Sequence, residues 1–141
     1  MSTRFAFASL IVLLPLFAGC GGESVGPVTG TVTHRGKPVP EIGVIFVPEK
    51  GQPSRGLSDE NGHYVLRYQA DKDGALVGKH KVWVQLRPTS PKDEKALQVR
   101  IAKLAQDPTI KRIVEKYGNY ETTPLAFDVK SSAQVIDLPL D

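Results

Sequence analysis

Apolar and polar positions alternate along most of the chain after residue 27, and this pattern predicts β-strands. Val28, Gly30 and Val32 alternate with threonines, which is typical of a half-buried strand. The stretch Ile42–Pro48 is apolar on both faces, so we expect a central strand that is covered on both sides. The other alternating stretches are Ser54–Ser58, His63–Tyr68, Val77–Leu86, Thr123–Lys130 and Ile136–Leu140.

A turn signal separates two of these stretches. Asn61 and Gly62 both tolerate positive φ, as the two central residues of a type I′ turn must, so the pair predicts a tight β-hairpin. Asp59 can start the turn by accepting backbone N–H bonds. The residues that then share one face, and that we expect in the core, are Tyr64, Leu66 and Tyr68.

The period changes from two to that of a helix after residue 88. Ser90 and Pro91 fit an N-cap and a first helical position, and Asp107-Pro108 begins a second helical stretch that Gly118 can end. Such an amphipathic insert could bind a partner or a membrane, but we expect its apolar stripe to pack on the strands. The apolar residues at helical spacing are Leu97, Ile101, Leu104, Ala105, Ile110, Ile113, Val114 and Tyr117.

Short strands separated by turns predict an all-β fold, a β-sandwich. We count seven strands, mostly antiparallel because their connections are short, in one domain at residues 28–141. The helical insert, at about residues 91–117, precedes the last two strands.

The first residues indicate export. Arg4 gives a positive start, an apolar run follows to Phe17, and small residues precede Cys20. The run is shorter than the roughly 20 apolar residues that span a bilayer, so it predicts a signal peptide at 1–19. Residues 20–27 are rich in glycine and predict a short flexible tether.

The sequence Phe17-Ala18-Gly19-Cys20 resembles a bacterial lipobox, with Phe where the usual motif has Leu. This resemblance implies cleavage before Cys20, a lipid thioether on its sulfur and acylation of the new amine, which together anchor a protein durably. Gly21-Gly22 follow without an aspartate, which by analogy with sorting rules favours the outer membrane. The alternative is an ordinary signal peptide followed by a free thiol.

Composition and charge exclude some roles. The net charge of +3 falls to +2 once Arg4 is removed, which is too small to indicate nucleic-acid binding. Cys20 is the only cysteine, so no intrachain disulfide can form and the fold depends on a hydrophobic core.

The order of motifs resembles the bacterial carboxypeptidase regulatory-like domain, whose fold is similar to transthyretin (prealbumin). This resemblance implies a seven-stranded Greek-key sandwich and implies no activity, because the fold hosts many functions. The stretches that carry it are Val28–Val32, Gly36–Val39, Val44–Pro48, Asp59–Tyr64, Gly74–Gly78 and His80–Val82. The end of the chain, from Lys116-Tyr117 through Thr123–Leu125 to Val129-Lys130, resembles the tail of small lipoproteins that carry this domain alone.

Catalytic and metal-binding patterns are weak. His34, His63 and His80 fall on separate predicted elements, and the turns at Asp59 and Asp71 have too few later ligands for calcium. The Tyr-Arg-Gly-Ser ending of transthyretin-like hydrolases is absent, and no nucleophile elbow, zinc-protease or P-loop motif occurs. We therefore expect no catalytic residue, no metal and no cofactor, although an enzyme with an unrecognised site is a further alternative.

Trp83 and Tyr120 are the candidate ligand-binding residues. Trp83 lies among polar neighbours on its strand, where it could cover a sheet edge or be exposed to a sugar or peptide. We expect a monomeric, non-enzymatic, lipid-anchored envelope module that acts through an envelope protein or glycan and does not bind nucleic acid. The alternative is a lipoprotein that binds a carbohydrate or another small ligand.

Overall fold

The computed structural model describes residues 23–87 and 94–141, most of which lie in or between β-strands. The strands are β1 (Val25–Gly26), β2 (Val28–His34), β3 (Lys37–Pro38), β4 (Ile42–Pro48), β5 (Ser54–Leu57), β6 (His63–Val65), β7 (Arg67–Gln69), β8 (Lys72–Asp73), β9 (Ala75–Leu76), β10 (Gly78–Leu86), β11 (Ala126–Val129), β12 (Gln134–Val135) and β13 (Leu138–Pro139). The helices are α1 (Glu94–Ala105) and α2 (Pro108–Tyr117).

Two main sheets contribute to one hydrophobic core. The larger sheet has the order β11-β10-β4-β5-β7-β8, and the smaller is built around β2, which pairs with β3, β6, β12 and β13. A separate two-stranded pairing joins β1 to β9. Buried side chains from both main sheets form a single cluster, which is consistent with the predicted all-β sandwich.

The strand β4 is central, as its apolar sequence predicts. It pairs with β5 on one side and β10 on the other. Val44 and Phe46 are fully buried in the core, and Ile45 is only 3 % exposed although it points to the opposite face. Burial on both faces explains why this strand shows no alternation of apolar and polar residues.

The turn after β5 differs from the predicted type I′ turn. The N–H of Gly62 donates to the carbonyl of Asp59, so the central residues are Glu60 and Asn61, and neither has positive φ. Gly62 is the left-handed residue, with φ +76°, and a Cβ there would lie 2.5 Å from the Val32 carbonyl oxygen. The turn glycine is therefore required, but one position later than the type I′ prediction places it.

The hairpin itself is present, because the Asp59 N–H donates to the His63 carbonyl beside the turn and Arg55 pairs with Arg67 in the same antiparallel register, but its second arm is shared between two sheets. After the turn, β6 pairs with β2 of the smaller sheet, and the chain crosses at Leu66 so that β7 pairs with β5 of the larger sheet. Tyr64, Leu66 and Tyr68 are nevertheless all buried, as predicted. Alternation fixes which face is buried, but it does not fix which sheet receives the strand.

The apolar residues predicted for the last strand are buried, but the strands there, β12 and β13, run parallel to β2. Both β12 and β13 pair with β2 in parallel register, and Ile136, Leu138 and Leu140 are buried. The number of strand segments, thirteen among the described residues, exceeds the seven predicted because several predicted strands are interrupted.

The predicted flexible tether at 20–27 is too long at its C-terminal end. Val25 and Gly26 form β1, and the Glu23 carboxylate accepts a hydrogen bond from the Tyr68 hydroxyl. A Cβ on Gly26 would lie 1.8 Å from the Lys130 carbonyl oxygen, so the backbone here packs closely on the sandwich.

The two helices of the insert differ in how they pack. Helix α2 buries Ile110, Ile113 and Tyr117 in the core, which confirms the predicted stripe, and Asp107 caps its N-terminus by accepting N–H bonds from Thr109 and Ile110. Helix α1 has no buried residue. The predicted cap at Ser90 and Pro91 lies outside the described residues.

Candidate binding surface

The predicted lipidation site cannot be located in the fold. Cys20 lies outside the described residues, so its lipidation stays a prediction from sequence. None of the described helices has the length and apolar character needed to cross a bilayer.

Trp83 lies on the outer face of the larger sheet. Along β10, His80, Val82 and Val84 point into the core, so Lys81, Trp83 and Gln85 point outward. The register places Trp83 directly opposite Ile45 on β4. Directly opposed side chains lie close enough to cover each other. The large indole of Trp83 therefore helps to cover Ile45, which is nearly inaccessible, while Trp83 itself stays half-exposed.

Tyr120 is connected to the same face through Lys81. Tyr120 is 40 % exposed, and the Lys81 ammonium nitrogen lies 5.0 Å from the centroid of its ring. The same ammonium group donates to the Glu121 carbonyl at 2.9 Å, which fixes the lysine over the ring. Lys81, which sequence reasoning did not select, therefore contacts Tyr120 and shares the outward face of β10 with Trp83.

A row of outward-facing residues crosses the sheet from Trp83. Successive cross-strand partners are Trp83 on β10, Ile45 on β4, Arg55 on β5, Arg67 on β7 and Asp73 on β8. We call this set the transverse row. With strands about 4.8 Å apart, Arg55 lies about 10 Å from Trp83 along it.

The arginine end of the row lies in a cleft of about 330 Å3. We call it the arginine cleft and define it by its lining residues, which are Arg55, Gly56, Leu57, Val65, Arg67, Asp73 and Arg87. Sequence analysis missed these arginines because they come from three separate strand regions. Their outward phase could be read from alternation, but their convergence depends on a register that the sequence does not reveal.

The three histidines have separate roles. The Nδ1 of His34 bonds the Leu140 carbonyl, and the Nδ1 of His63 lies 3.1 Å from the Thr31 hydroxyl. His80 is 3 % exposed beside Phe46, its Nδ1 bonds the Gly78 carbonyl, and its Nε2 is buried without a partner among the described residues. Burial lowers the pKa of His80, although the Gly78 carbonyl and the Asp128 charge oppose this effect.

The candidate calcium turns are explained by local hydrogen bonds. One carboxylate oxygen of Asp59 accepts the N–H groups of Asn61 and His63, as expected of an Asx turn, and Asp73 pairs with Arg67. Within residues 23–87 and 94–141, no group of three or more His, Cys, Asp or Glu side chains is arranged to hold a metal ion.

Two core tyrosines are also held by hydrogen bonds. The Tyr64 hydroxyl donates to the Ile136 carbonyl, and burial, aided by the Asp137 charge, raises the pKa of Tyr64. The bond from Tyr68 to Glu23 raises the pKa of Tyr68. Both hydroxyls therefore act as donors that join strands to other parts of the chain.

No protein-family model, curated protein or solved structure matches this chain.

Proposed function

We propose that this protein is a non-enzymatic interaction module of the bacterial cell envelope, held at the outer membrane by lipid on Cys20. It presents the outer face of its larger sheet to an envelope protein or glycan. The observation that carries the binding part of the proposal is the transverse row together with Lys81 and Tyr120. In this arrangement, aromatic and cationic side chains lie next to each other on one side of a sheet.

The anchor is proposed from the sequence alone. Its support is the charged start, the apolar run and the small residues that directly precede the single cysteine. The proposed relation to carboxypeptidase regulatory-like domains, with a seven-stranded Greek-key sandwich, likewise rests on the order of the sequence motifs.

The anchor can be tested by changing Cys20 to Ser in the full-length protein. We expect the wild-type protein in the membrane fraction and the variant in the soluble fraction. Intact mass should show acyl groups on the wild type only. A wild-type protein that carries no acyl mass would contradict the anchor without affecting the binding proposal.

Carbohydrate binding is a second candidate, favoured by the position of Trp83 and Lys81 on one face of β10 and by the contact of Lys81 with Tyr120. A sugar ring stacks readily on a half-exposed aromatic face, and the Lys81 ammonium group lies beside the second aromatic ring. Trp83 is the only tryptophan of the chain, so its fluorescence reports directly on this face.

A glycan array followed by fluorescence titration tests this candidate. We expect saturable binding to one class of glycan, a change in Trp83 fluorescence, and loss of binding in Trp83→Ala. The control is Val135→Ala, since Val135 is 71 % exposed on a strand of the smaller sheet. Binding that is equally weakened by both changes would argue against the face.

A further inference from the structure

Arg55 and Arg67 are directly opposed across β5 and β7. Like charges in this position repel each other and destabilise a sheet, since directly opposed Cβ atoms are only about 5 Å apart. The fold does not need this pairing, because both side chains point away from the core and both residues are exposed. The arrangement therefore calls for an explanation other than packing.

Counter-charge within the cleft is incomplete. Asp73 bonds the Nε of Arg67 at 3.2 Å, and this is the only ion pair of the cleft among the described residues. Neither Arg55 nor Arg87 has an ion-pair partner in the part of the chain that the structure describes. Three guanidinium groups and one carboxylate thus leave the cleft with a net charge of +2.

The residues around the three arginines form a small concave site with both charged and apolar surface. The cleft volume of about 330 Å3 is within the range of small-ligand sites. Leu57 and Val65 are 37 % and 53 % exposed at its wall, so apolar surface lies next to the charged groups. An occupant with an anionic group and a partly apolar body would cover both.

We propose that the arginine cleft binds the phosphate monoester group of a glycan. A phosphate monoester carries about −1.5 to −2 charge at neutral pH, which matches the uncompensated charge of the cleft, whereas one carboxylate would neutralise only half of it. One guanidinium group can donate two parallel N–H bonds to two phosphate oxygens. Two arginines that face each other can therefore bind one phosphate group from both sides.

The row supplies a place for the rest of the ligand. Trp83 is about 10 Å from Arg55 across the apolar Ile45, so a sugar chain bound by its phosphate can extend to the aromatic face. The glycan part of this inference rests on the proposed function, but the phosphate part does not.

Isothermal titration calorimetry tests the site. The full-length protein in an uncharged, sugar-free detergent is used for the soluble probes, and the full-length Cys20→Ser protein without detergent is used for the vesicles, which a detergent would dissolve. The probes are glucose 6-phosphate, glucose, inorganic phosphate, and vesicles of phosphatidylglycerol or phosphatidylcholine. We expect glucose 6-phosphate to bind more tightly than glucose. Arg55→Gln should weaken this binding at least about tenfold, because a charged hydrogen-bond pair is lost.

Matched variants separate the site from general charge effects. Arg112→Gln removes the same charge from a different basic cleft, on α2, and should leave binding unchanged. Arg87→Gln is a second cleft variant in case Arg55→Gln alters the fold, and Arg55→Lys should give an intermediate loss because it keeps charge without the paired donors. Equal weakening by Arg112→Gln, or no weakening by Arg55→Gln and Arg87→Gln, would overturn the proposal.

The probes also separate this proposal from the proposed function. Glucose binding that is lost only in Trp83→Ala would support the sugar face but overturn the phosphate site. Glucose 6-phosphate binding that survives Trp83→Ala but not Arg55→Gln would support the cleft while the sugar face fails. Preference for phosphatidylglycerol vesicles without binding of glucose 6-phosphate would overturn a glycan as the occupant.

Discussion

Two clefts of the molecule gather basic side chains, and they differ in what those side chains face. In the C-terminal cleft, basic and acidic side chains of the chain itself lie together; its lining residues are His34, Arg35, Arg112, Ile113, Glu115, Lys116, Tyr117, Leu140 and Asp141. A side-chain carboxylate oxygen of Asp141 accepts the backbone N–H of Arg35, and the main-chain oxygen of Asp141 accepts hydrogen bonds from the Lys116 ammonium group and the Tyr117 hydroxyl. In the arginine cleft, two arginines face each other and only one has an acidic partner.

This difference separates charges that hold the fold from charges that are available to a ligand. A basic group that already donates to the chain contributes to stability, and its loss should be measurable in unfolding. A basic group opposed by another basic group contributes nothing to stability or reduces it. Its loss should weaken ligand binding and leave the free energy of unfolding unchanged or slightly higher.

The largest expected effect is on the structural side of this comparison. Tyr117 is 5 % exposed in the core and its hydroxyl donates to Asp141 at 2.8 Å. Tyr117→Ala should lower the free energy of unfolding by about 3–5 kcal/mol, because it leaves a cavity in the core and removes one of the two donors to the Asp141 main-chain oxygen. Chemical denaturation measures this, and a loss below about 1 kcal/mol would mean that α2 does not close the core.

The next effect concerns two histidines that differ in burial. The His34 side chain is 13 % exposed in the C-terminal cleft and its Nδ1 bonds the Leu140 carbonyl. His80 is 3 % exposed, its Nδ1 bonds the Gly78 carbonyl, and its Nε2 is buried without a partner among the described residues. Because burial lowers the pKa of His80 below its ordinary value of 6.5, the unfolded chain takes up this proton first as the pH falls. Stability should therefore decrease as the pH falls below about 6.5.

His80→Phe should remove this part of the pH dependence, while His34→Phe should retain it. Thermal unfolding between about pH 7.5 and 5.5 compares the variants before most carboxylates titrate. If wild type and His80→Phe lose stability in parallel over this range, His80 is not the group responsible.

A smaller effect is expected at Asp141. Asp141→Ala removes the carboxylate that accepts the Arg35 N–H and faces His34. The free energy of unfolding should fall by about 1 kcal/mol, the usual cost of one such hydrogen bond. The control is Asp137→Ala, which removes the acceptor of a different backbone N–H, that of Thr31 on β2. An unchanged denaturation midpoint in Asp141→Ala would show that the Asp141 carboxylate does not stabilise the C-terminal cleft.

The smallest effect on stability is expected at Arg55. Arg55→Gln removes a like-charge repulsion and no hydrogen bond of the described chain, so the free energy of unfolding should stay within about 0.5 kcal/mol or rise slightly. A fall larger than about 1 kcal/mol would assign Arg55 to the structural group and break the comparison.

The sequence predicts the buried faces of this protein better than its strand pairing. Continuous apolar character identified β4 as central, and Asp107-Pro108 and Gly118 marked the ends of α2, because these signals act within a few residues. The crossing of the chain at Leu66 and the parallel register of β13 with β2 depend on contacts between distant segments.

In the candidate site, too, local features could be predicted from the sequence, but contacts between distant segments could not. Trp83 and Tyr120 could be selected as aromatic residues in polar surroundings, but nothing local links them to Lys81. The opposition of Arg55 and Arg67 arises because β7 pairs with β5 after the chain has left the smaller sheet. Charge clusters of this kind are visible only once the register is known.

Thermal unfolding with and without glucose 6-phosphate tests the central claim most directly, using wild type, Arg55→Gln and Arg112→Gln. A ligand that binds only the folded state raises the unfolding temperature. Glucose 6-phosphate should raise the unfolding temperature of wild type and Arg112→Gln but not that of Arg55→Gln, whose ligand-free unfolding temperature is unchanged or higher. Equal stabilisation of all three proteins, or of none, would contradict the claim that the arginine cleft binds phosphate.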